Sequence, residues 1–123
     1  MLDIPQHLFA DFIGRHGLVY VGRGSYRWTY RTRSGRFVVK FPKCREYGEA
    51  DNVLEAEACR GGEPCIARCR LIRVAGYDCL VMEWVEPIDY TGAPLPLPDW
   101  VDWIDCQQVG HNRRGRLVAY DFA

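Results

Sequence analysis

Two glycines, Gly22 and Gly24, stand in the run Gly22-Arg23-Gly24-Ser25, directly after the apolar stretch Leu18-Val19-Tyr20-Val21. Glycines at such a turn bring backbone N–H groups against phosphate oxygens that a Cβ would obstruct. Lys40 ends the run Phe37-Val38-Val39-Lys40, and Glu55 and Glu57 follow in a segment with helical spacing. A strand lysine facing a helix glutamate either positions a charge for a ligand or steadies the helix as an ion pair. Residues 12–45 hold nine basic side chains and no acidic one, interleaved with Tyr20, Tyr26, Trp28 and Tyr30. Two readings stand: a solvated hairpin neutralising acidic residues elsewhere, or a phosphate-binding surface for a nucleotide or nucleic acid built on Arg27, Arg31 and Arg33. Residues 74–112 are the mirror case, with seven acidic side chains and no basic one. There Asp99, Asp102 and Asp105 alternate with Trp100 and Trp103, the make-up of a solvated or partner-binding edge.

Metal chemistry is poorly served. The six cysteines (44, 59, 65, 69, 79, 106) contain no C-x-x-C, and the three histidines (7, 16, 111) are scattered. The start of the chain has neither a basic nor an apolar signal region, so the cysteines are expected to be reduced and mostly buried. Cys65 and Cys69, four apart in an expected strand, would share a face.

These residues need elements to hold them. At 123 residues the chain has the length of one domain. Apolar residues at 48% and charged residues at 26% exclude a disordered tail or a fibrous rod. No apolar run approaches the roughly 18 residues of a spanning helix. Sixteen basic and sixteen acidic side chains cancel, so net charge names no partner.

The pattern predicts a short helix over 5–13, with Pro5 at its start and Leu8, Phe9, Phe12 and Ile13 at helical spacing. Strands are expected at 18–21, 26–32 and 36–41, the last two joined through Ser34-Gly35. A helix over 49–60 takes Val53, Leu54, Ala56, Ala58 and Cys59 as its apolar positions and stops at Gly61-Gly62. Two more strands, 66–74 and 79–85, flank a Gly76-Tyr77-Asp78 turn. Residues 86–98 hold four of the seven prolines and read as a connector. A helical turn over 99–103 and a last hairpin, 107–110 with 117–120, complete the order. The fold class is α+β: a twisted antiparallel sheet of about five strands with one main helix and a small carboxy-terminal β-hairpin. The divisions are an N-terminal helix at 1–17, sheet and helix at 18–85, a connector at 86–105 and the hairpin at 106–123, all in one domain.

That order, and the residues within it, resemble the amino-terminal lobe of protein kinases over about residues 18–123. Gly22-Arg23-Gly24-Ser25-Tyr26-Arg27-Trp28-Thr29 resembles the glycine-rich loop G-x-G-x-x-G-x-V, and Phe37-Val38-Val39-Lys40 resembles the V-A-I-K strand. Leu80-Val81-Met82-Glu83-Trp84-Val85 resembles the hinge, and Leu117-Val118-Ala119-Tyr120-Asp121-Phe122 resembles the strand into D-F-G. The resemblance implies Gly22, Gly24, Ser25, Lys40, Glu55, Glu83 and Val85 as nucleotide-binding positions. It also implies Glu55 or Glu57 as the ion-pair partner of Lys40, Asp102 in the place of the catalytic aspartate, and Gln107 and Asp121 as magnesium ligands if nucleotide binds.

The departures are as informative as the matches. Arg27 replaces the third glycine, Thr29 the loop valine and Val38 the small alanine; no H-R-D is present, and the chain stops two residues after Asp121. The expected activation loop and helical lobe are therefore missing from this sequence. The ending also resembles short kinase-like (pseudokinase) proteins of tailed bacteriophages and prophages. Together these imply a non-catalytic binding module of bacterial cytoplasm, with no cofactor expected and a host protein as partner, in a takeover or anti-defence role. The alternatives are a minimal phosphotransferase binding ATP and magnesium, and a nucleic-acid binder using the basic aromatic hairpin. A homodimer through the Trp100 and Trp103 segment is a further expectation, and no membrane partner is.

Overall fold

The structure, a computed structural model, describes residues 3–60, 66–88 and 109–120. Five strands form the main antiparallel sheet: β1 (Val19–Arg23), β2 (Arg27–Arg31), β3 (Phe37–Pro42), β4 (Cys69–Val74) and β5 (Tyr77–Glu83). Their order is β1-β2-β3-β5-β4, so β4 and β5 pair as a hairpin and β5 slots in beside β3. A second sheet pairs β6 (Glu86–Pro87), β7 (Val109–His111) and β8 (Leu117–Ala119). The expected last hairpin is therefore β7–β8, enlarged to three strands by β6. Gly110 permits this pairing, because a Cβ there would lie 2.1 Å from the Glu86 carbonyl oxygen.

Alternation along β2 and β3 divides the sheet into two faces. Trp28, Tyr30, Val39 and Phe41 point to one, and the N-terminal segment covers it. That segment is a 3-10 turn (Gln6–Phe9) followed by α1 (Ala10–Arg15), rather than one helix over 5–13. Tertiary anchoring sets its course: Asp3 and Ile4 both donate backbone N–H groups to the Lys43 carbonyl at 3.1 and 3.0 Å. Fully buried Phe9 then packs on Phe41, ring centroids 4.8 Å apart, within a cluster of Ile4, Tyr30, Val39, Val74 and Cys79.

The other face carries Arg27, Lys40, Leu80 and Met82, and α2 (Ala50–Arg60) lies across it. A π turn over Arg45–Glu49 leads into α2, closed by the Glu49 N–H on the Cys44 carbonyl. The buried positions of α2 are Asn52, Glu55 and Ala56, while Leu54 is 48% exposed. Of the expected apolar positions Ala56 is buried and Val53, Ala58 and Cys59 are half-buried, but Leu54 is corrected: the sheet face beneath α2 also presents cations, and Asn52 and Glu55 turn inward to meet them.

Two strand limits also move. Residues 66 and 67 leave the expected 66–74 strand for the second sheet, Ile66 bridging to Ala119 and Ala67 donating to the Ala119 carbonyl. The turn before β5 is Ala75-Gly76, both at positive φ (53° and 84°), so Tyr77 and Asp78 already belong to the strand. Two successive positive φ values match the twist of the flanking strands in such a tight hairpin. Of the cysteines, Cys44 and Cys79 are buried, Cys59 and Cys69 half-buried, and all four are free thiols. Cys65 (and with it the face expected to be shared with Cys69), Cys106 and most of the 86–105 connector lie outside the described residues. Among the described residues no helix is long and apolar enough to cross a membrane.

Candidate functional site

Lys40 enters the site because Val39 and Phe41 face the opposite side of β3, toward the N-terminal segment. Asn52 and Glu55, three residues apart on α2, share the helix side that descends on it. The approach of α2 depends on Gly48, where a Cβ would lie 2.5 Å from the Tyr26 carbonyl oxygen and 3.0 Å from Pro42.

The result is a buried polar cluster. Lys40 Nζ donates to Glu55 Oε1 at 3.1 Å and to the Tyr120 carbonyl oxygen at 2.8 Å. Arg27 Nη1 contacts the other carboxylate oxygen, Glu55 Oε2, and donates to Asn52 Oδ1 at 3.2 Å. Asn52 Nδ2 in turn donates to the Asp78 carbonyl at 2.9 Å and the Lys40 carbonyl at 3.3 Å. Arg27, Lys40, Asn52 and Glu55 keep 7%, 5%, 0% and 2% of their surface exposed, so the cluster is shielded from solvent screening. Low dielectric strengthens each contact and makes loss of any one partner costly. Glu55 is thus the partner of Lys40, and Glu57 is exposed. Arg27, expected as a nucleic-acid contact on a basic hairpin, is instead interior, its charge committed to Glu55.

The glycine turn is closed by the protein itself. Gly24 donates its N–H to the Arg27 carbonyl at 3.0 Å, and Lys43 Nζ donates to the Gly24 carbonyl at 2.8 Å. Lys43 also gives its backbone N–H to the Tyr26 carbonyl at 2.8 Å. Neither Gly22 nor Gly24 has a positive φ, and the space beside each is open. The chain's own packing therefore does not require glycine at either position. Ser25 is exposed at the tip, and Tyr26 stacks on Tyr47 with centroids 4.7 Å apart.

Glu83 and Val85, expected as nucleotide-binding positions, make other contacts. Glu83 gives its backbone N–H to the Arg68 carbonyl at 2.9 Å, and its Oε2 accepts the Arg68 N–H at 2.7 Å. Val85 is buried with Val38, Ala67, Met82 and Val118 in one apolar cluster between the two sheets. Asp102, Gln107 and Asp121 lie outside the described residues, as do Trp100 and Trp103. Among the described residues no three His, Cys, Asp or Glu side chains converge as a metal site.

Sequence reasoning found Lys40 and Glu55 but missed the inward roles of Arg27 and Asn52. The available signal was Asn52 at the i−3 position of the pairing glutamate, together with a second cation on the strand preceding Lys40.

No protein-family model matches the sequence, and no curated protein does. Among solved structures, the chain is similar to an aminoglycoside phosphotransferase in a ternary complex with streptomycin and ATP, at 19% identity and a TM-score of 0.48. The match covers 74% of this chain, which spans about a third (32%) of that structure's length. The likeness concerns chain course alone; streptomycin and ATP are ligands of that protein.

Proposed function

We propose that this chain is a non-catalytic kinase-like binding module. The observation that carries the reading is the closure of the Lys40 site on itself. Glu55 is shared by Arg27 and Lys40, and Lys40 also engages the Tyr120 carbonyl with 5% of its surface exposed. Two further observations support a reading without ATP. The Gly24 N–H that would face a phosphate is taken by the Arg27 carbonyl. Val38 and Met82, which the kinase resemblance sets against an adenine, are packed with Val85 and Val118. What remains of the kinase plan is a rigid sheet-and-helix frame, held by a polar cluster, that presents surfaces to a partner. The bacteriophage likeness makes a host component the partner expected, in a takeover or anti-defence role.

Thermal unfolding with and without millimolar Mg-ATP tests the non-catalytic part. A ligand bound only by the native state raises the melting temperature. The expected result is no shift; a clear shift that Lys40→Met abolishes would establish a nucleotide site and defeat this reading. For the partner, affinity capture from bacterial lysate should return one stoichiometric protein.

A further inference from the structure

A cavity of about 1120 Å³ opens at the end of the molecule away from the Lys40 cluster, between the β2–β3 turn, the start of β4 and the β7–β8 turn. Six arginines line it: Arg31 and Arg36 from the first segment, Arg68 and Arg70 from the second, Arg113 and Arg114 from the third. Against them stand, among the described residues, two carboxylates, Glu83 and Glu86. Glu83 accepts the Arg68 backbone N–H, and Glu86 accepts the Trp84 indole N–H at 3.2 Å. Arg36, Arg68, Arg70, Arg113 and Arg114 are exposed, and their side chains make no hydrogen bond or ion pair among the described residues.

Folding has thus gathered six like charges from three distant parts of the chain, with only Glu83 and Glu86 to set against them among the described residues. Elsewhere the same protein neutralises its cations, as Arg15 does with Asp11 and Arg73 with Asp78. The sixth arginine, Arg31, is fixed: its Nε and Nη2 donate to the Gly35 carbonyl at 3.1 and 2.9 Å, and its guanidinium lies 3.6 Å from the centroid of the Trp84 ring. The cavity wall also includes Phe37, 44% exposed.

We propose that this arginine groove binds single-stranded nucleic acid. Guanidinium forks match phosphate oxygens. Phe37 and the Arg31–Trp84 stack supply flat faces on which bases stack regardless of sequence. Those planar faces favour a nucleic acid over an acidic peptide, which would use the charge alone. The groove does not involve the Lys40 cluster, so it stands or falls separately from the reading above.

The test is fluorescence anisotropy with a labelled mixed-sequence single-stranded oligonucleotide over a salt series, with circular dichroism confirming each variant folded. Wild-type protein should bind, and the logarithm of affinity should fall linearly with the logarithm of salt, by about 0.7 for each phosphate neutralised. The double variant Arg68→Glu, Arg70→Glu should bind at least about tenfold more weakly and flatten the salt slope by about 1.4. Phe37→Ala should weaken binding without changing that slope, and Arg60→Glu, exposed at the end of α2, should leave affinity within about twofold. Absence of binding at 50 mM salt would overturn the proposal. So would an equal loss in Arg60→Glu, or polyglutamate competing as well as unlabelled oligonucleotide, which would mark a surface selecting charge alone.

Discussion

Arg27 and Lys40 hold opposite oxygens of one carboxylate: Arg27 contacts Oε2 of Glu55 and Lys40 donates to Oε1. The two cations lie on adjacent strands, diagonal to each other on one face, because β2 and β3 pair with Arg27 opposite Pro42 and Thr29 opposite Lys40. Glu55 therefore bridges the cations of β2 and β3 to α2. Removing it leaves two cations buried beside each other.

Glu55→Ala should accordingly destabilise the protein by about 3–5 kcal/mol, the range for breaking a buried ion pair from one side. Lys40→Met should be milder, since Arg27 keeps the carboxylate occupied. Urea unfolding of both variants, followed by circular dichroism, checks the order. A Glu55→Ala protein as stable as the parent would show that the cluster does not hold α2 to the sheet.

The glycines divide into two classes by what surrounds them. Gly22→Ala meets open space at ordinary φ, so it should leave stability unchanged or raise it by up to about 1 kcal/mol. Gly48→Ala and Gly110→Ala push a Cβ to 2.5 Å from the Tyr26 carbonyl and 2.1 Å from the Glu86 carbonyl. Both should lower the melting temperature sharply, Gly110→Ala by separating β6 from β7. Parallel thermal melts of the three variants decide this.

Burial pushes the thiols of Cys69 and Cys79 up to about 12, in Cys69 with the neighbouring Cys59 adding to the effect. Only the thiolate reacts with iodoacetamide. At pH 8.5 both cysteines should stay unmodified in the native protein and react fully in urea, as peptide mapping will report. The folded state holds these protons more tightly than the unfolded chain, whose thiols titrate near 9. Their stabilising contribution is therefore complete below about pH 9 and is lost as pH rises toward 12. A Cys69→Ala, Cys79→Ala double variant should show a shallower loss of melting temperature over that window.

Phe9 is fully buried against Phe41, Trp28 and Tyr77. Phe9→Ala should cost roughly 3–5 kcal/mol, as truncation of a buried aromatic does. Chemical denaturation gives the value. A loss below about 1 kcal/mol would mean that the N-terminal segment only rests on the sheet.

Much of this architecture was legible in the sequence because local signals agreed with the fold. Ser34-Gly35 marked the β2–β3 hairpin, and Gly35 does adopt the positive φ (76°) that the turn requires. Lys40 and Glu55 were legible as a strand–helix pair because each lies in a segment of clear period. The side of α2 that turns inward was not. Its apolar residues gave Leu54 a place in the core, yet that face meets Arg27 and Lys40, and Asn52 with Glu55 satisfies them better than leucine would. The arginine groove was also hidden, since its six members come from three segments that no sequence window spans. Arg27, Arg31 and Arg33 looked alike in sequence; folding buries the first, stacks the second on Trp84 and leaves the third exposed.

The anchoring of Asp3 and Ile4 on the Lys43 carbonyl has a consequence for the order in which a ribosome delivers this chain. Residues 3–15 are made before the strands they cover, which include Tyr30, Phe41, Val74 and Cys79. Until β5 has been synthesised and inserted beside β3, Phe9 and Phe12 have no finished surface to rest on. This segment must therefore wait, with its aromatic side chains unsheltered, until the strands through β5 have followed it. Contacts of such long sequence separation slow folding, and the waiting segment is where a nascent-chain chaperone would find a foothold.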